Sequence, residues 1–322
     1  MKAVVYRRYG APDVLECREV EKPAPRDGEV LIRIVAASVN PMDWHFMRGT
    51  PRFIRLMSGF SKPKDVRMGR DVAGQVVSVG AGVAAFHPGD EVFGWCLGAF
   101  AEYACASESH LVAKPGNLTA EQAASVPVAA LTALVGLRCK GFVPKGQKVL
   151  INGAAGGVGT FAVQIARSLG AHVTGVCSTR NVELVRSIGA DRVVDYTREG
   201  FTEGTVRYGL ILDCIGNHPL SAIRRILDPG GIYVIVGGPD GRWIGALSLL
   251  LKALALSPFV SQKLTTVSMK RGKDDLAALA ALMATGKVTP VIDRRYPLHE
   301  VPEAIRYLEE GHARGKVVIN ME

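Results

Sequence analysis

The stretch VLINGAAGGVGTFAVQIA, from Val149 to Ala166, decides the fold of this chain. A short strand-like run leads into a glycine-rich turn, and the turn opens directly into an apolar, helix-forming run. Such a turn leaves the first amide groups of the helix unpaired and the positive end of its dipole exposed. It therefore predicts a phosphate-binding site, provided that no side chain stands in the way.

The spacing of the glycines fits a dinucleotide-binding fingerprint. Gly156 lets a pyrophosphate approach the backbone, and Gly159 lets the helix pack closely on the strand. Gly157 and Val158 lie between them and complete the cofactor-binding turn. The first position of the fingerprint holds Ala154 instead of glycine, which departs from the pattern. A turn without a ligand is the alternative, and the strand–helix–strand context favours the dinucleotide.

The residues after the second expected strand bear on the choice of dinucleotide. Proteins that select NAD place an acid there, facing the ribose 2′-hydroxyl, whereas this chain has no carboxylate before Glu183. Ser178 and Arg180 suit a 2′-phosphate instead, because a guanidinium offers a planar fork of donors. A capped helix with a surface arginine is the alternative. These residue types favour NADPH over NADH, and Tyr196 is expected to wall the adenosine phosphate.

The pattern of predicted secondary structure changes near Thr119. Before it, short strands such as Glu29–Val39 alternate with Pro/Gly turns, which is typical of a β-rich barrel-like domain. After it, strands and helices alternate in βαβαβ order, which predicts an α/β fold with a doubly wound parallel sheet. The tail returns to strand at KVVIN, and we expect it to fold back onto the first domain. The expected domains are 1–121 with 272–322, and 122–271.

Composition limits the classes of function. The 322 residues carry a net charge of +9, but Lys and Arg are scattered singly or in pairs, without an aromatic-interleaved stripe. Nucleic acid is therefore not an expected partner. The apolar segment Ile244–Val260 is shorter than a bilayer span and carries Lys252, so it predicts a buried or interface helix and no membrane anchor. The start lacks the apolar core of a signal peptide, and the six cysteines form no CxxC pair, so we expect reduced thiols in a cytoplasmic protein.

Motifs along nearly the whole chain resemble one family. They are AASVNPMDW, GRDVAGQVVSVGAGV, HPGDEVFG, GAFAEYACA, VPVAALTAL, NGAAGGVG, SIGADRVVDY and RGKVVIN. In order and spacing they resemble the medium-chain dehydrogenase/reductase superfamily, in its zinc-free, zeta-crystallin-like quinone oxidoreductase branch. The resemblance implies a GroES-like catalytic domain and a Rossmann domain, with the nicotinamide bound in the cleft between them.

The resemblance also bears on whether the protein binds a metal ion. Alcohol dehydrogenases of this superfamily hold a catalytic zinc, and the corresponding places here look like Asn40, Arg70 and Val128. None of these is a zinc ligand, and the cysteine-rich lobe for a structural zinc is absent. No metal is therefore expected. Without a Lewis acid, the acceptors that remain are already electrophilic, such as quinones and α,β-unsaturated carbonyls.

The resemblance further suggests the site residues. The Asn-x-x-Asp element implies that Asn40 and Asp43 line the nicotinamide end of the cleft, and His45 is a candidate proton relay or a packing histidine. Further expected cofactor contacts are Thr132 near the nicotinamide ribose, Gly237 and Gly238 near the carboxamide, and Gly315 and Lys316 as a basic contact from the tail.

The leading hypothesis is an NADPH-dependent reductase of a quinone or of an activated alkene. A zinc-free aldehyde or ketone reductase and a non-catalytic NADPH-binding redox sensor are the alternatives. The segment GTPRFIRLMSGFSKPKDVRM, between Arg48 and Gly69, is either a lid over the substrate or a surface flap. The physiological substrate, the stereochemistry of hydride transfer, the proton donor and the pathway stay open.

Assembly is the last expectation. KLTTVSMK, Lys263–Lys270, is a β-branched strand expected at the edge of the parallel sheet, and an apolar helix comes just before it. An exposed edge of this kind needs to be covered, charged or paired. A homodimer through this strand is expected from the edge, from the frequency of two-fold dimers and from the resemblance. A monomer whose edge is protected by Lys263 and Lys270 is the alternative.

Overall fold

The chain forms two compact units. A computed structural model describes residues 1–138, 143–238, 246–256, 260–267 and 272–321. Unit 1 comprises Met1–Leu131 with Arg271–Glu322, and unit 2 comprises Thr132–Lys270. The boundary lies ten residues later than the 121/122 division expected above, because the helix Ala120–Ala124 packs on strands Glu29–Val39 and Asp71–Val79 of unit 1.

Unit 1 is β-rich. Its strands are β1 (Lys2–Tyr6), β2 (Leu15–Glu19), β3 (Glu29–Val39), β4 (Asp71–Val79), β5 (Glu91–Trp95), β6 (Tyr103–Ser107), β7 (Leu111–Ala113), β14 (Ile292–Pro297) and β15 (Lys316–Asn320). Its helices are α1 (Pro41–Arg48), α2 (Ile54–Ser58), α3 (Ala120–Ala124), the first part of α4 (Pro127–Leu137), α9 (Lys273–Ala284) and α10 (Val301–Glu309). The main sheet has the order β14-β15-β3-β4-β5-β7, β6 also pairs with β3, and β1 and β2 form a separate hairpin.

The long strand β3 organises unit 1. It pairs antiparallel with β4, β6 and β15, and its apolar residues contribute to a single buried cluster. The tail therefore returns to the first unit, with Val317 opposite Val39. This pairing brings the residues just before β15 beside the residues just after β3, where the candidate site begins.

Unit 2 is a parallel α/β sheet. Its strands are β8 (Lys148–Asn152), β9 (His172–Cys177), β10 (Arg192–Asp195), β11 (Tyr208–Asp213), β12 (Leu227–Ile235) and β13 (Lys263–Thr266). Its helices are the remainder of α4, α5 (Gly157–Ser168), α6 (Val182–Ser187), α7 (Leu220–Arg225) and α8 (Ala246–Leu256). All neighbours pair in parallel, in the order β10-β9-β8-β11-β12-β13. The order reverses direction at β8, which confirms the doubly wound Rossmann prediction.

Some predicted elements differ in extent. Strand β13 is the sheet edge among the described residues but ends at Thr266, and residues 268–270 of the predicted strand lie outside the described part. The segment Ile244–Val260 contains α8, while residues 244–245 and 257–259, like Cys139, also lie outside it. No described helix is both long and apolar enough to cross a membrane.

Candidate functional site

The glycine-rich turn of unit 2 is shaped for a phosphate group. Gly156 is the N-cap of α5, and a Cβ placed on it would meet only the Gly153 carbonyl oxygen, at 3.5 Å, so the turn is open. A Cβ on Gly159 would lie 2.1 Å from that same oxygen, so the helix packs on the turn at a distance only glycine allows. The left-handed backbone of the turn belongs to Gly153, with φ of +81°, and Ala154 is buried beside it. The departure at Ala154 therefore leaves the turn intact, since Gly153 supplies the conformation that requires a glycine.

Two neighbouring strand ends bring the 2′-phosphate candidates together. Ser178 and Arg180 follow β9, and Tyr196, 58% exposed, follows β10 and donates its backbone N–H to the Cys177 carbonyl at 3.0 Å. The Thr179 hydroxyl donates to Asp195 at 2.6 Å, and this bond is the main reason that the pKa of Asp195 lies below its ordinary value. The sequence analysis missed this carboxylate, which lies at the same edge of the sheet as Arg180.

The ends of β11 and β12 are held by a buried carboxylate. Asp213 accepts hydrogen bonds from the Asn152 amide at 2.8 Å, from the Gly216 N–H at 2.8 Å and from the Tyr233 hydroxyl at 2.8 Å. Gly237 was expected to leave its backbone groups free for a carboxamide. Its N–H is not free, because it donates to the Asp213 carbonyl at 3.1 Å. A Cβ on Gly237 would lie 2.0 Å from the Cys214 carbonyl oxygen, so close packing explains this glycine.

The other predicted cofactor contacts of unit 2 lie in α4, in α5 and after β12. Gly157 and Val158 form the first turn of α5 and are half-buried, Thr132 is half-buried in α4, and Gly238 follows β12. A Cβ on Gly216 would lie 2.7 Å from the Cα of Gly238, so the segments after β11 and β12 pass close together. The carboxyl ends of β8, β11 and β12 thus meet around these residues, which is where ligands bind in doubly wound sheets.

Unit 1 contains a cavity of about 180 Å³ beside α1. Asp43 and Phe46, one helical turn apart, form part of its wall, and Arg70 joins them from the start of β4. The remaining lining residues are Tyr6, Met57, Ser58, Lys64, Asp65, Arg67, Met68, Gly69 and Leu97. Half of the twelve lining residues are ionisable, and four large apolar side chains lie among them, so the cavity offers both apolar surface and convergent polar groups to a small molecule.

Asp43 is the buried acid of this cavity. Its side chain accepts the Asn40 backbone N–H at 2.8 Å, which ties the carboxyl to the first turn of α1. Burial raises the pKa of Asp43 to about 7, and the charge of Asp71 adds to the rise, while Arg70 and Lys316 oppose it. A carboxyl with this pKa exists in both protonation states near neutral pH, as a proton-transferring group must.

Beneath Asp43 lies a buried polar network centred on Asp71. This carboxylate, fully buried, accepts hydrogen bonds from the Ser38 hydroxyl at 2.8 Å, the Asn40 amide at 2.8 Å and the Val128 backbone N–H at 3.0 Å. Lys316 donates to the Asn40 side-chain oxygen at 2.6 Å and lies 3.5 Å from Asp71. The Asn40 side chain is thus engaged within unit 1 and does not line the cavity of that unit. Its predicted place at the nicotinamide end of the cleft stays a prediction. Asn40 positions Asp43 through its backbone.

Lys316 also departs from its predicted role. Its ammonium group is 3% exposed and donates to the Val39 carbonyl at 3.1 Å as well as to Asn40. With Asp71 close by, all three of its protons have acceptors within unit 1, which does not fit a basic contact to a cofactor. Gly315 adopts φ of +95°, and its Cβ would lie 2.3 Å from the Val291 carbonyl oxygen, so glycine is required there by packing.

His45 does not join Asp43. Two residues along a helix correspond to about 200° of rotation, so the two side chains leave α1 on opposite faces. The His45 Nδ1 donates to the Thr50 carbonyl at 2.8 Å, and its ring lies against Trp44, with the centroids 3.6 Å apart. The structure therefore supports the packing interpretation of His45 over the relay.

The segment between Arg48 and Gly69 contains α2, and two of its residues, Met57 and Ser58, line the cavity. Tyr9 anchors it, since its hydroxyl lies 2.8 Å from the Ser58 hydroxyl and donates to the Gly59 carbonyl at 2.5 Å. Leu56, Met57 and Phe60 are 74%, 74% and 80% exposed. The segment is thus a wall of the cavity that also presents apolar side chains to solvent.

Three residues of the site escaped the sequence analysis in their present roles. Asp71 and Arg70 stand side by side in GRDVAG, where only a missing zinc ligand was noted, and a charged pair at the start of an apolar strand was the available signal. Tyr6, in the first strand, gave no signal, because a strand tyrosine is common in any β domain. Pairing of β4 with β3 and β5 places Arg70 and Asp71 near α1. Tyr6 is held beside them because its backbone N–H donates to the Val66 carbonyl at 2.9 Å.

Comparison with known proteins covers the same two parts of the chain. Residues 26–116 match the family described as alcohol dehydrogenase GroES-like domain, and residues 188–319 match the family described as zinc-binding dehydrogenase. A chloroplast envelope quinone oxidoreductase homolog of Arabidopsis thaliana is 35% identical, over 99% of this chain and 98% of that protein.

Two further relatives carry the name of a cofactor. An NADPH-dependent alkenal/one oxidoreductase from chloroplasts of Arabidopsis thaliana is 33% identical, over 99% of this chain and 79% of that protein. A mycobacterial protein solved in complex with NADPH has a TM-score of 0.85 and 28% identity, over 99% of this chain and 100% of that chain. The likeness in sequence and in structure therefore spans both units.

The second family name refers to zinc, and the residues of this chain do not fit it. The places of the catalytic ligands hold an amide, a guanidinium and a valine, and the Asn40 amide is engaged with Asp71 and Lys316. Among the residues that the structure describes, no three His, Cys, Asp or Glu side chains are grouped as a metal site would require. No step of the chemistry is therefore assigned to a metal ion.

Proposed function

This chain belongs to the medium-chain dehydrogenase/reductase superfamily, in its zinc-free quinone oxidoreductase branch, and we propose that it is an NADPH-dependent reductase of quinones or α,β-unsaturated carbonyl compounds. The observation that carries the proposal is the cavity of unit 1, where a buried carboxyl and a guanidinium share apolar walls. Acceptors that are electrophilic without a metal suit such a cavity.

Unit 2 supplies the residues that would hold the cofactor. The open turn at Gly156 and the unpaired amides of α5 suit the pyrophosphate, and Ser178 and Arg180 suit the 2′-phosphate. Bound NADPH supplies the hydride. The protein's part is to orient the two reactants and to keep water from competing with the acceptor.

Unit 1 supplies the groups at the reacting end. Asp43, with a pKa of about 7, is the proton donor that completes reduction, and it is regenerated from solvent. Asn40, Asp71 and Lys316 act through it as positioning residues, because they fix the start of α1 from below. Loss of the Asp43 proton above neutral pH is expected to slow turnover.

The test is rapid-mixing measurement of NADPH oxidation against a panel of quinones, enals, enones and simple ketones. Turnover of the first three classes with little turnover of ketones supports the proposal. Turnover of ketones alone identifies the zinc-free ketone reductase instead. NADPH binding with no turnover of any acceptor identifies the redox-sensor alternative.

Cofactor preference has its own test. NADPH should bind at least about tenfold tighter than NADH, because one charge-assisted contact to the 2′-phosphate contributes about 1.5 to 3 kcal/mol. Arg180→Ala should remove most of this preference and leave NADH binding unchanged, with Arg207→Ala, a surface arginine of the same unit, as the control. Equal affinities in the wild-type protein contradict the assignment.

We also propose a cytoplasmic homodimer. The edge strand β13 and helix α8, whose Leu251 is 51% exposed, are the surfaces expected to meet across a two-fold axis. Light scattering decides this, since a mass that stays near 34.4 kDa as the concentration rises means a monomer. The described cysteines are all free thiols, which suits a reducing compartment, and fluorescence microscopy of a tagged chain tests the location.

A further inference from the structure

Among the residues that the structure describes, no side-chain hydrogen bond or ion pair holds the guanidinium of Arg70. It lines the cavity half-buried, and its central carbon lies 5.0 Å from the centre of the Phe46 ring. Among the described residues no carboxylate forms an ion pair with it, whereas Arg67, on the same wall, pairs with Asp65 at 2.6 Å. A half-buried cation without a paired anion is costly, which makes Arg70 a candidate for binding negative charge.

Hydrogen bonds to the segment after β5 fix the backbone at Arg70. Cys96 donates its N–H to the Arg70 carbonyl at 2.9 Å, and Gly98 and Ala99 donate to the Gly69 carbonyl at 3.1 and 3.2 Å. Gly69 itself has φ of +86° and touches Phe100, where a Cβ would come within 2.6 Å of the ring. The Cα of Arg70 is thus fixed at the start of a paired strand, and the Phe46 ring lies beside the guanidinium, which favours preorganised charge stabilisation.

Arg70 faces the same part of the cavity as the proton donor. Phe46 and Asp43 lie one turn apart on α1, and the charge of Arg70 acts on the Asp43 carboxyl and on the Tyr6 hydroxyl. Burial raises the pKa of Tyr6 to about 12, so Tyr6 stays protonated and adds no negative charge. The remaining charged groups of the wall are Lys64 and the Arg67–Asp65 pair, so the cavity carries a net positive charge when Asp43 is protonated.

We propose that Arg70 is a catalytic residue that stabilises the negative charge developing on the carbonyl oxygen of the substrate. The inference rests on the proposed function. The hydride that NADPH supplies, becoming NADP⁺, adds to the β-carbon of an enone or to one carbonyl oxygen of a quinone. The π electrons of the acceptor move to its remaining carbonyl oxygen, which becomes an enolate or a quinol anion. The guanidinium pairs with this oxygen, and the proton of Asp43 then completes an O–H or α-C–H bond. Arg70 thereby supplies the electrophilic assistance that a zinc ion supplies in metal-dependent relatives.

The first experiment measures steady-state kinetics of Arg70→Gln and Arg70→Ala with one enone and one quinone. Loss of one preorganised donor should lower kcat by about a hundredfold to a thousandfold, with KM and the NADPH dissociation constant changed by less than about fivefold. The loss should be larger for the enone, which is the weaker electrophile. Guanidinium chloride should restore part of the activity of Arg70→Ala, whereas sodium chloride at equal concentration should not. Arg33→Gln, a surface variant whose parent pairs with Gln75, is the control.

The second experiment needs no turnover. 4-Nitrophenol mimics the enolate when ionised, and its phenolate absorbs visible light, so binding beside Arg70 should increase the phenolate fraction at constant pH. Wild-type protein should show this increase, and Arg70→Gln should not. Unchanged kcat in Arg70→Gln, a loss confined to NADPH binding, or an equal phenolate shift in both proteins overturns the role of Arg70. A wild-type protein that reduces neither acceptor refutes the proposed function itself.

Discussion

Replacing Asp43 with Asn tests the buried acid directly, through stability. The amide keeps the shape of the side chain and an oxygen that can accept the Asn40 N–H, but it cannot ionise. The carboxyl of Asp43 is 3% exposed and has a pKa of about 7 in place of its ordinary 3.8. This rise corresponds to about 4 kcal/mol, at about 1.4 kcal/mol for each tenfold change in proton affinity.

The direction of the pH effect on stability depends on whether the folded or the unfolded state binds the Asp43 proton more tightly. Because the folded pKa lies above the unfolded one, the contribution of Asp43 is present in full below about pH 4 and is lost as the pH rises through about 7. Asp43→Asn should therefore match the wild type near pH 4 and become more stable than it above neutral pH, by up to about 4 kcal/mol. The charge of Asp71 adds to the rise in the Asp43 pKa, while Arg70 and Lys316 oppose it. Variants at those positions should therefore shift the pH range over which the stability changes.

The assay is urea unfolding from about pH 4 to about pH 8, followed by tryptophan fluorescence. Trp44, which neighbours Asp43 and packs on the core of unit 1, contributes to this signal. Asp65→Asn is the matched control. Its carboxyl is bonded to Arg67 and has a lowered pKa, so its effect should stay constant across this range. A difference between Asp43→Asn and wild type that does not change with pH refutes the assignment of a near-neutral buried acid.

The remaining predictions concern the buried network, the turn and metal. Lys316→Met should lower the free energy of unfolding, measured by urea titration, by about 3 to 5 kcal/mol, because it leaves the buried carboxylate of Asp71 unpaired. The control Arg295→Met, which breaks the exposed pair with Glu121, should lower it by less than about 1 kcal/mol. Gly159→Ala forces a Cβ to within 2.1 Å of the Gly153 oxygen and should weaken NADPH binding at least about tenfold by calorimetry, while Gly204→Ala, with nothing within 4 Å, should bind normally. EDTA should leave turnover intact, and elemental analysis should find less than about 0.1 zinc per chain; stoichiometric zinc whose removal abolishes activity would contradict the donor set described above.

The sequence by itself determined the parts that depend on local pattern. The run from Val149 to Ala166 predicts strand, turn and helix because residue spacing dictates both periodicity and the open turn, and the parallel order follows from the alternation of elements. The bounds of β3 and β15 are as predicted because each is an apolar run bounded by turn residues. The motifs also identified the family, since they recur in order along the chain.

Tertiary structure alone decided which side chains meet. Asn40, Asp43 and His45 lie close together in sequence and were equal candidates for the site. The helix places Asp43 in the cavity and His45 on the opposite face, and pairing of β15 with β3 encloses Asn40. Lys316 was expected to be a basic cofactor contact, but that same pairing places it against Asp71, which is far away in sequence. Arg70 gained its position from β5 and Phe100. Burial sets the pKa of Asp43, and burial depends on contacts between distant segments that no local pattern specifies.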